Sequence, residues 1–125
     1  MKQISVKTSP VPSGAYSQAV VAKGLVFVAG VGPYDAVTRA VVGTTVEEQT
    51  VKTVENIRAI LVEAGCDLGD IVNSTVYLAD LHRDWAAFDA TYRSLLSEPY
   101  PARATTGAVL KNILVEIAVV AALSD

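Results

Sequence analysis

A single α+β domain is the fold class this sequence predicts, and three observations lead to it. Two apolar stripes recur at helical spacing, β-branched runs alternate with them along the chain, and no repetitive or linker-like segment interrupts the series. One domain spanning 1–125 is expected, since 125 residues with 51% hydrophobic content suffice for one core.

The elements follow in order. Ser9-Pro10-Val11-Pro12-Ser13-Gly14 reads as a loop, because its prolines lack amide donors and its glycine is permissive. Ala19 to Ala22, then Lys23-Gly24, then Leu25 to Ala29 read as a β-hairpin around a two-residue turn. Thr45 and Glu48 have capping-box spacing, and Val51, Val54, Ile57, Leu61 and Ala64 then recur at three and four until Gly65, which predicts a helix. Ile71 to Leu78 is a β-branched strand, with Val72, Val76 and Leu78 expected on one face. Leu81, Trp85, Phe88, Tyr92 and Leu95 form the core-facing stripe of a second helix capped by Asp80 or Asp84. Pro99 and Pro101 stop it, Ala104-Thr105-Thr106 is β-prone, and a turn falls near Lys111-Asn112. Leu114 to Leu123 reads as an apolar strand of the kind buried on both faces. The order is therefore β-β-α-β-α-β-β, with room for an extra N-terminal strand. It implies a mixed sheet with both helices on one face and the other face covered from outside the chain.

Composition narrows the function classes. Charged residues make up only 18% of the chain, and mean hydropathy is +0.38, so apolar surface is expected to close against another subunit. A net charge of −3 and a pI near 5.0 offer no basic footprint for nucleic acid or anionic lipid. Cys66 is the single cysteine, which excludes an internal disulfide, and its surroundings suggest an inert packing thiol. Met1-Lys2-Gln3-Ile4 shows no apolar signal core, so a cytoplasmic address is expected. Ile113 to Leu123, interrupted by Glu116, is about half the ~20 residues of a membrane helix. His82 is the only histidine, so neither a metal cluster nor a Ser-His triad is expected within one chain. Gly30-Val31-Gly32-Pro33 begins like a dinucleotide fingerprint, but no helix opens after it.

Three residues can carry chemistry. Glu116 interrupts an apolar strand, where a carboxylate either faces solvent, forms a structural ion pair, or is retained for proton transfer. Arg103 follows Tyr100-Pro101-Ala102, and its planar fork suits a carboxylate, whether of a ligand or of a neighbouring acid. Tyr16 follows the Pro12 to Ala15 loop, where its phenol can pack or cover a ligand.

Gly14-Ala15-Tyr16-Ser17-Gln18, Val28-Ala29-Gly30-Val31-Gly32-Pro33, Asn56-Ile57, Asp70 to Leu78, Phe88-Asp89-Ala90-Thr91-Tyr92, Pro101-Ala102-Arg103 and Val115-Glu116-Ile117 fall in an order and spacing that resembles the Rid (YjgF-like, reactive intermediate deaminase) family. Each motif alone is weak, but together they cover nearly the whole chain. The resemblance implies a chorismate-mutase-like α+β fold assembled as a homotrimer around a barrel-like core, with ligand clefts between subunits. It implies cofactor-independent hydrolysis of small 2-imino or enamino acids, such as 2-iminobutanoate and 2-iminopropanoate, to 2-oxo acids and ammonium. Arg103 would hold the substrate carboxylate and Glu116 a water, while Tyr16, Gly30, Val31, Asp89 and Thr105 would line the cleft. Departures from the family pattern concern the substrate. Ala29 stands where a serine is usual, Val31 where a glutamine is, Asp89 where the best-studied deaminases have asparagine, and Thr105 where a cysteine is common. Asp89 could repel an anionic substrate or pair with Arg93 four residues on. A larger enamine such as 2-aminomuconate, and a non-catalytic or translation-inhibiting trimer, are the competing readings.

Overall fold

The computed structural model describes residues 1–124. Its strands and helices are β1 (Lys2–Ile4), β2 (Ala19–Ala22), β3 (Leu25–Val31), α1 (Val46–Glu63), β4 (Ile71–Leu78), α2 (Leu81–Leu95), β5 (Ala102–Gly107) and β6 (Val115–Ala122), with a 3-10 turn at Leu68–Asp70. The six strands form one mixed sheet, as predicted, and β1 is the extra N-terminal strand; their order in the sheet is β1-β2-β3-β6-β4-β5. Only β4 and β5 are parallel, joined by α2 as the crossover element. The last strand, β6, enters between β3 and β4 and pairs antiparallel with both.

Local chemistry explains the element ends. Lys23 and Gly24 both have positive φ, 54° and 74°, as a two-residue hairpin turn matched to strand twist requires. Thr45 accepts from the Glu48 amide while the Glu48 carboxylate accepts from the Thr45 amide, so the capping box closes α1 at its N-terminus. Gly65, at φ 91°, ends the helix in the left-handed region. Asp80, not Asp84, caps α2 by accepting from the Arg83 amide.

Both helices cover one sheet face. Val54, Ile57, Ile60 and Leu61 of α1 and Phe88 and Tyr92 of α2 pack on Val26, Val76, Leu78, Val115, Ile117 and Val119. The opposite face, which carries Val20, Phe27, Ala118, Val120 and Ala122, is bare in the single chain and small or apolar along most of its strands.

In the single chain, residues along β6 alternate between buried and half-buried, because the helices cover only one face of the sheet. Three expectations need correction. Val72 is exposed, because a bulge between Ile71 and Asn73 gives the inward slot to Ile71. Val51 is exposed, and Gln49, Thr50 and Thr53 take the inward positions of the first half of α1. Trp85 is exposed, and Asp84 is buried in its place, its carboxylate bonded by the Arg83 guanidinium at 2.9 Å.

Candidate functional site

Glu116 lies on the open face of β6, opposite Tyr77 of β4 and beside the bulged end of β3. A Cβ built on Gly30 would stand 2.6 Å from Glu116 Oε2, so the carboxylate rests against bare glycine backbone and any other residue there must displace it. Gly32 plays the same part for a neighbour, since its Cβ would meet the Tyr34 ring at 2.6 Å. These groups line a cleft of about 510 Å³ together with Tyr16, Val31, Arg39 and Lys111. The Tyr34 phenol is pushed above its ordinary 10.0, first by burial and then by the negative charge of Glu116 and by Tyr16. At neutral pH it therefore keeps its proton and lines the cleft as a hydroxyl.

Side-chain staples fix the cleft walls. Gln18, almost wholly buried, accepts from the Val6 amide at 2.7 Å and donates to the Val6, Ser9 and Pro10 carbonyls, which holds the proline-rich loop. Asn56 donates from α1 to the Gly32 and Tyr34 carbonyls at 3.0 and 2.9 Å. Gln49 donates to the Gly43 carbonyl and accepts from the Leu114 amide. Buried amides that satisfy irregular backbone in this way substitute for the ladder those segments lack. The Tyr16 hydroxyl accepts from the Ser13 amide at 3.3 Å, so the phenol folds back over its own loop while remaining half-exposed.

Arg103 occupies a different place. It pairs with Ser74 across β5 and β4, and Ser74 meets the Tyr92 hydroxyl at 2.9 Å on the helix-covered side. Its guanidinium carbon lies 4.7 Å from the Tyr92 ring centroid, 5.4 Å from Phe88 and 5.9 Å from Trp85. An ion pair of 2.9 Å ties it to Asp89, which also meets Arg93 at 3.3 Å. Asp89, Arg93, Arg103, Tyr92 and Tyr100 line a second cleft of about 290 Å³. Asp89 therefore pairs with Arg93, as one reading had it, and with Arg103 as well.

One chain does not bring Arg103 and Glu116 together. They sit on opposite sheet faces, and the register separates them by β4 and by three positions along the strands. That offset puts their Cα atoms roughly 14 Å apart at ~3.3 Å per residue and ~4.8 Å per strand. Tyr16, Gly30 and Val31 join Glu116 in its cleft, and Asp89 joins Arg103 in the other. Thr105 pairs with Val76 in mid-strand and lines neither.

Sequence reasoning did not single out Tyr34, Arg39 or Lys111. Each lies in a stretch without periodicity, and only the loop closure made by the Tyr34–Val41 bridge brings the first two to the cleft. His82 is exposed on the first turn of α2. Burial, followed by the Asp70 charge, pushes the Cys66 thiol up and away from thiolate chemistry. No helix among the described residues is long and apolar enough to cross a membrane.

The same architecture occurs in known proteins. The Endoribonuclease L-PSP family model matches residues 6–123. A RutC family protein of Saccharolobus solfataricus is 40% identical over 97% of this chain and 98% of its own length. The 2-iminobutanoate/2-iminopropanoate deaminase of Salmonella typhimurium is 34% identical, covering 96% of both chains. The crystal structure of RidA from an Antarctic Psychrobacter superposes with a TM-score of 0.92 at 33% identity, over 98% of this chain and 100% of that one. With a family model spanning nearly all of it, full-length relatives and the same mixed-sheet fold, this chain belongs to the Endoribonuclease L-PSP (YjgF/RidA) family.

Proposed function

We propose that the protein is a cofactor-independent deaminase that hydrolyses 2-imino acids, with 2-iminobutanoate and 2-iminopropanoate as the simplest substrates. The observation that carries this reading is the Glu116 carboxylate seated against Gly30 inside a cleft that Tyr16 also lines. A relative at 34% identity that bears the name of that activity supports it.

The reaction needs little from the protein. A C=N bond conjugated to a carboxylate is already electrophilic, so orientation with modest acid-base assistance is sufficient. Glu116 accepts a proton from water as the oxygen bonds to the imine carbon and passes that proton to the imine nitrogen, giving a neutral carbinolamine. Glu116 then takes the carbinolamine hydroxyl proton and delivers it to the amino nitrogen as the carbonyl forms and the C–N bond breaks. Ammonia leaves and is protonated to ammonium, and a 2-oxo acid remains. Arg103 holds the substrate carboxylate through its planar fork.

Arg103 and Glu116 lie on opposite faces of one sheet, so the complete site joins the Glu116 cleft of one copy to the Arg103 edge of the next. The bare apolar face gives the reason for association, and a homotrimer closing three sheets into a barrel-like core is the assembly we propose, in the cytoplasm. The net charge of −3 does not favour RNA as the substrate. The test generates the imine in situ with a pyridoxal-dependent dehydratase at pH 8 to 9 and follows its decay, with light scattering to read the assembly. Accelerated decay that disappears in Arg103→Ala and Glu116→Gln is the expected result. A decay rate unchanged by the native protein excludes the reading.

A further inference from the structure

We propose that the Glu116 cleft accepts a second anionic group, so that the preferred substrate is a 2-imino dicarboxylic acid. This rests on the deaminase reading above and names its substrate class. Three observations carry it.

The first is charge. Arg39 and Lys111 line the cleft with Glu116, so one positive charge is left over there. The Arg103 cleft also has an excess of one, since Asp89 faces both Arg93 and Arg103. Two half-sites that meet at one substrate and each have a spare positive charge match a molecule with two carboxylates. A monocarboxylate leaves one of the two unanswered.

The second is that the cleft cations are uncommitted. Among the described residues, neither Arg39 nor Lys111 forms an ion pair with an acidic side chain. Arg39 is held at φ 64°, a left-handed conformation unusual for a side chain of its size. The loop that holds it is tight, with the Asp35 carboxylate accepting from the Val37 and Thr38 amides at 2.9 and 2.8 Å. Its guanidinium donates to the Val11 carbonyl and so joins two walls of the cleft, with further donors to spare. Lys111 also lines the cleft, next to Asn112, which is left-handed at φ 63°.

The third is size. At about 510 Å³ the cleft lies within the ~300–1,000 Å³ range of sites for larger ligands. A four-carbon imino acid is small beside that volume.

The experiment compares the binding of 2-oxoglutarate and 2-oxobutanoate by calorimetry to the native protein, Lys111→Ala and Lys111→Arg, with light scattering on each. We expect the native protein to bind 2-oxoglutarate about tenfold more tightly, as one additional charge-assisted contact allows. Lys111→Ala should reduce that ratio at least fivefold, and Lys111→Arg should restore most of it. Equal affinities in the native protein, or a ratio that Lys111→Ala does not change, overturn the proposal and leave the deaminase reading intact. A change in assembly mass with an unchanged ratio also overturns it, since Lys111 then serves a subunit contact. Should imine hydrolysis be absent while the Lys111-dependent preference persists, the catalytic reading falls and the dicarboxylate site stands.

Discussion

Asp89 stands between two arginines, 2.9 Å from Arg103 Nη2 through one carboxylate oxygen and 3.3 Å from Arg93 Nη2 through the other. The Arg103 and Asp89 side chains are 16% and 21% exposed, so solvent screens this pair less than a surface one. A carboxylate in this position offsets the charge that an incoming anion would use. Asp89→Asn keeps the shape and removes the charge. It should tighten 2-oxobutanoate binding by roughly 1 kcal/mol, or about fivefold. Titration calorimetry on the two proteins checks this. Weaker binding in the variant would mean that Asp89 serves to aim the guanidinium.

Arg103 itself should not tolerate lysine. Its guanidinium carbon lies 4.7 Å from the Tyr92 ring centroid while Nη2 meets Asp89 at 2.9 Å, a combination that a point-charge ammonium cannot reproduce. Arg103→Lys should raise KM for a 2-imino acid by about tenfold or more, on the scale of a lost charge-assisted hydrogen bond of ~1.5–3 kcal/mol. Steady-state kinetics measures it, and a KM within twofold of native would count against a bidentate anchor.

Most of the fold was legible because each element carries its own local signal. The capping box at Thr45 and Glu48, the Lys23-Gly24 turn and the Phe88–Tyr92 spacing act within a few residues, and each formed where expected. Misreadings came where an apolar residue was assumed to face inward. Gln49 and Asn56 took inward positions on α1 because loops at Gly32, Tyr34, Gly43 and Leu114 need hydrogen-bond partners, a demand made by distant segments and not encoded in spacing. Trp85 lost the core to Asp84 and instead approaches Arg103. Site residues were legible as chemical types, Arg103 and Glu116 above all. Their placement on opposite faces became clear only once β6 was seen to enter between β3 and β4.

Gly30 gives a sharp test of the Glu116 placement. A methyl group there would stand 2.6 Å from Glu116 Oε2, inside van der Waals contact, and the carboxylate must move. Glu116 is a flexible side chain at half-buried depth, so the fold should survive Gly30→Ala with little change in Tm. Displacement of a proton-transfer group by about an ångström costs on the order of 100-fold in rate. We expect kcat to fall roughly 10- to 100-fold while binding of 2-oxobutanoate, anchored at Arg103, changes far less. Native kcat in Gly30→Ala would show that the carboxylate does not act from this position.

Alkaline pH should destabilise the protein through the buried Tyr92 and half-buried Tyr34 phenols. Burial pushes Tyr92 above the ordinary 10.0, with its Ser74 hydrogen bond and Arg103 opposing the shift, and Tyr34 is raised by burial and by Glu116. A group whose folded pKa is raised holds its proton more tightly in the native state. Its contribution is therefore fully present below pH 10.0 and is lost as pH rises above 10.0 and through the folded value. Thermal melts should show Tm nearly flat between pH 7 and 9 on account of these groups, and a fall above pH 10. Tyr92→Phe removes one titrating phenol, so its melts should fall less steeply over that alkaline range. At pH 7 the same variant should be less stable by about 1 kcal/mol, because Ser74 Oγ, 2.9 Å from the Tyr92 hydroxyl and buried, loses its partner. The two effects have opposite signs in the two pH ranges, so the melting curves of variant and native protein should converge as pH rises. Parallel curves at a constant offset would show that Tyr92 contributes only its neutral hydrogen bond and that its ionisation is not coupled to folding.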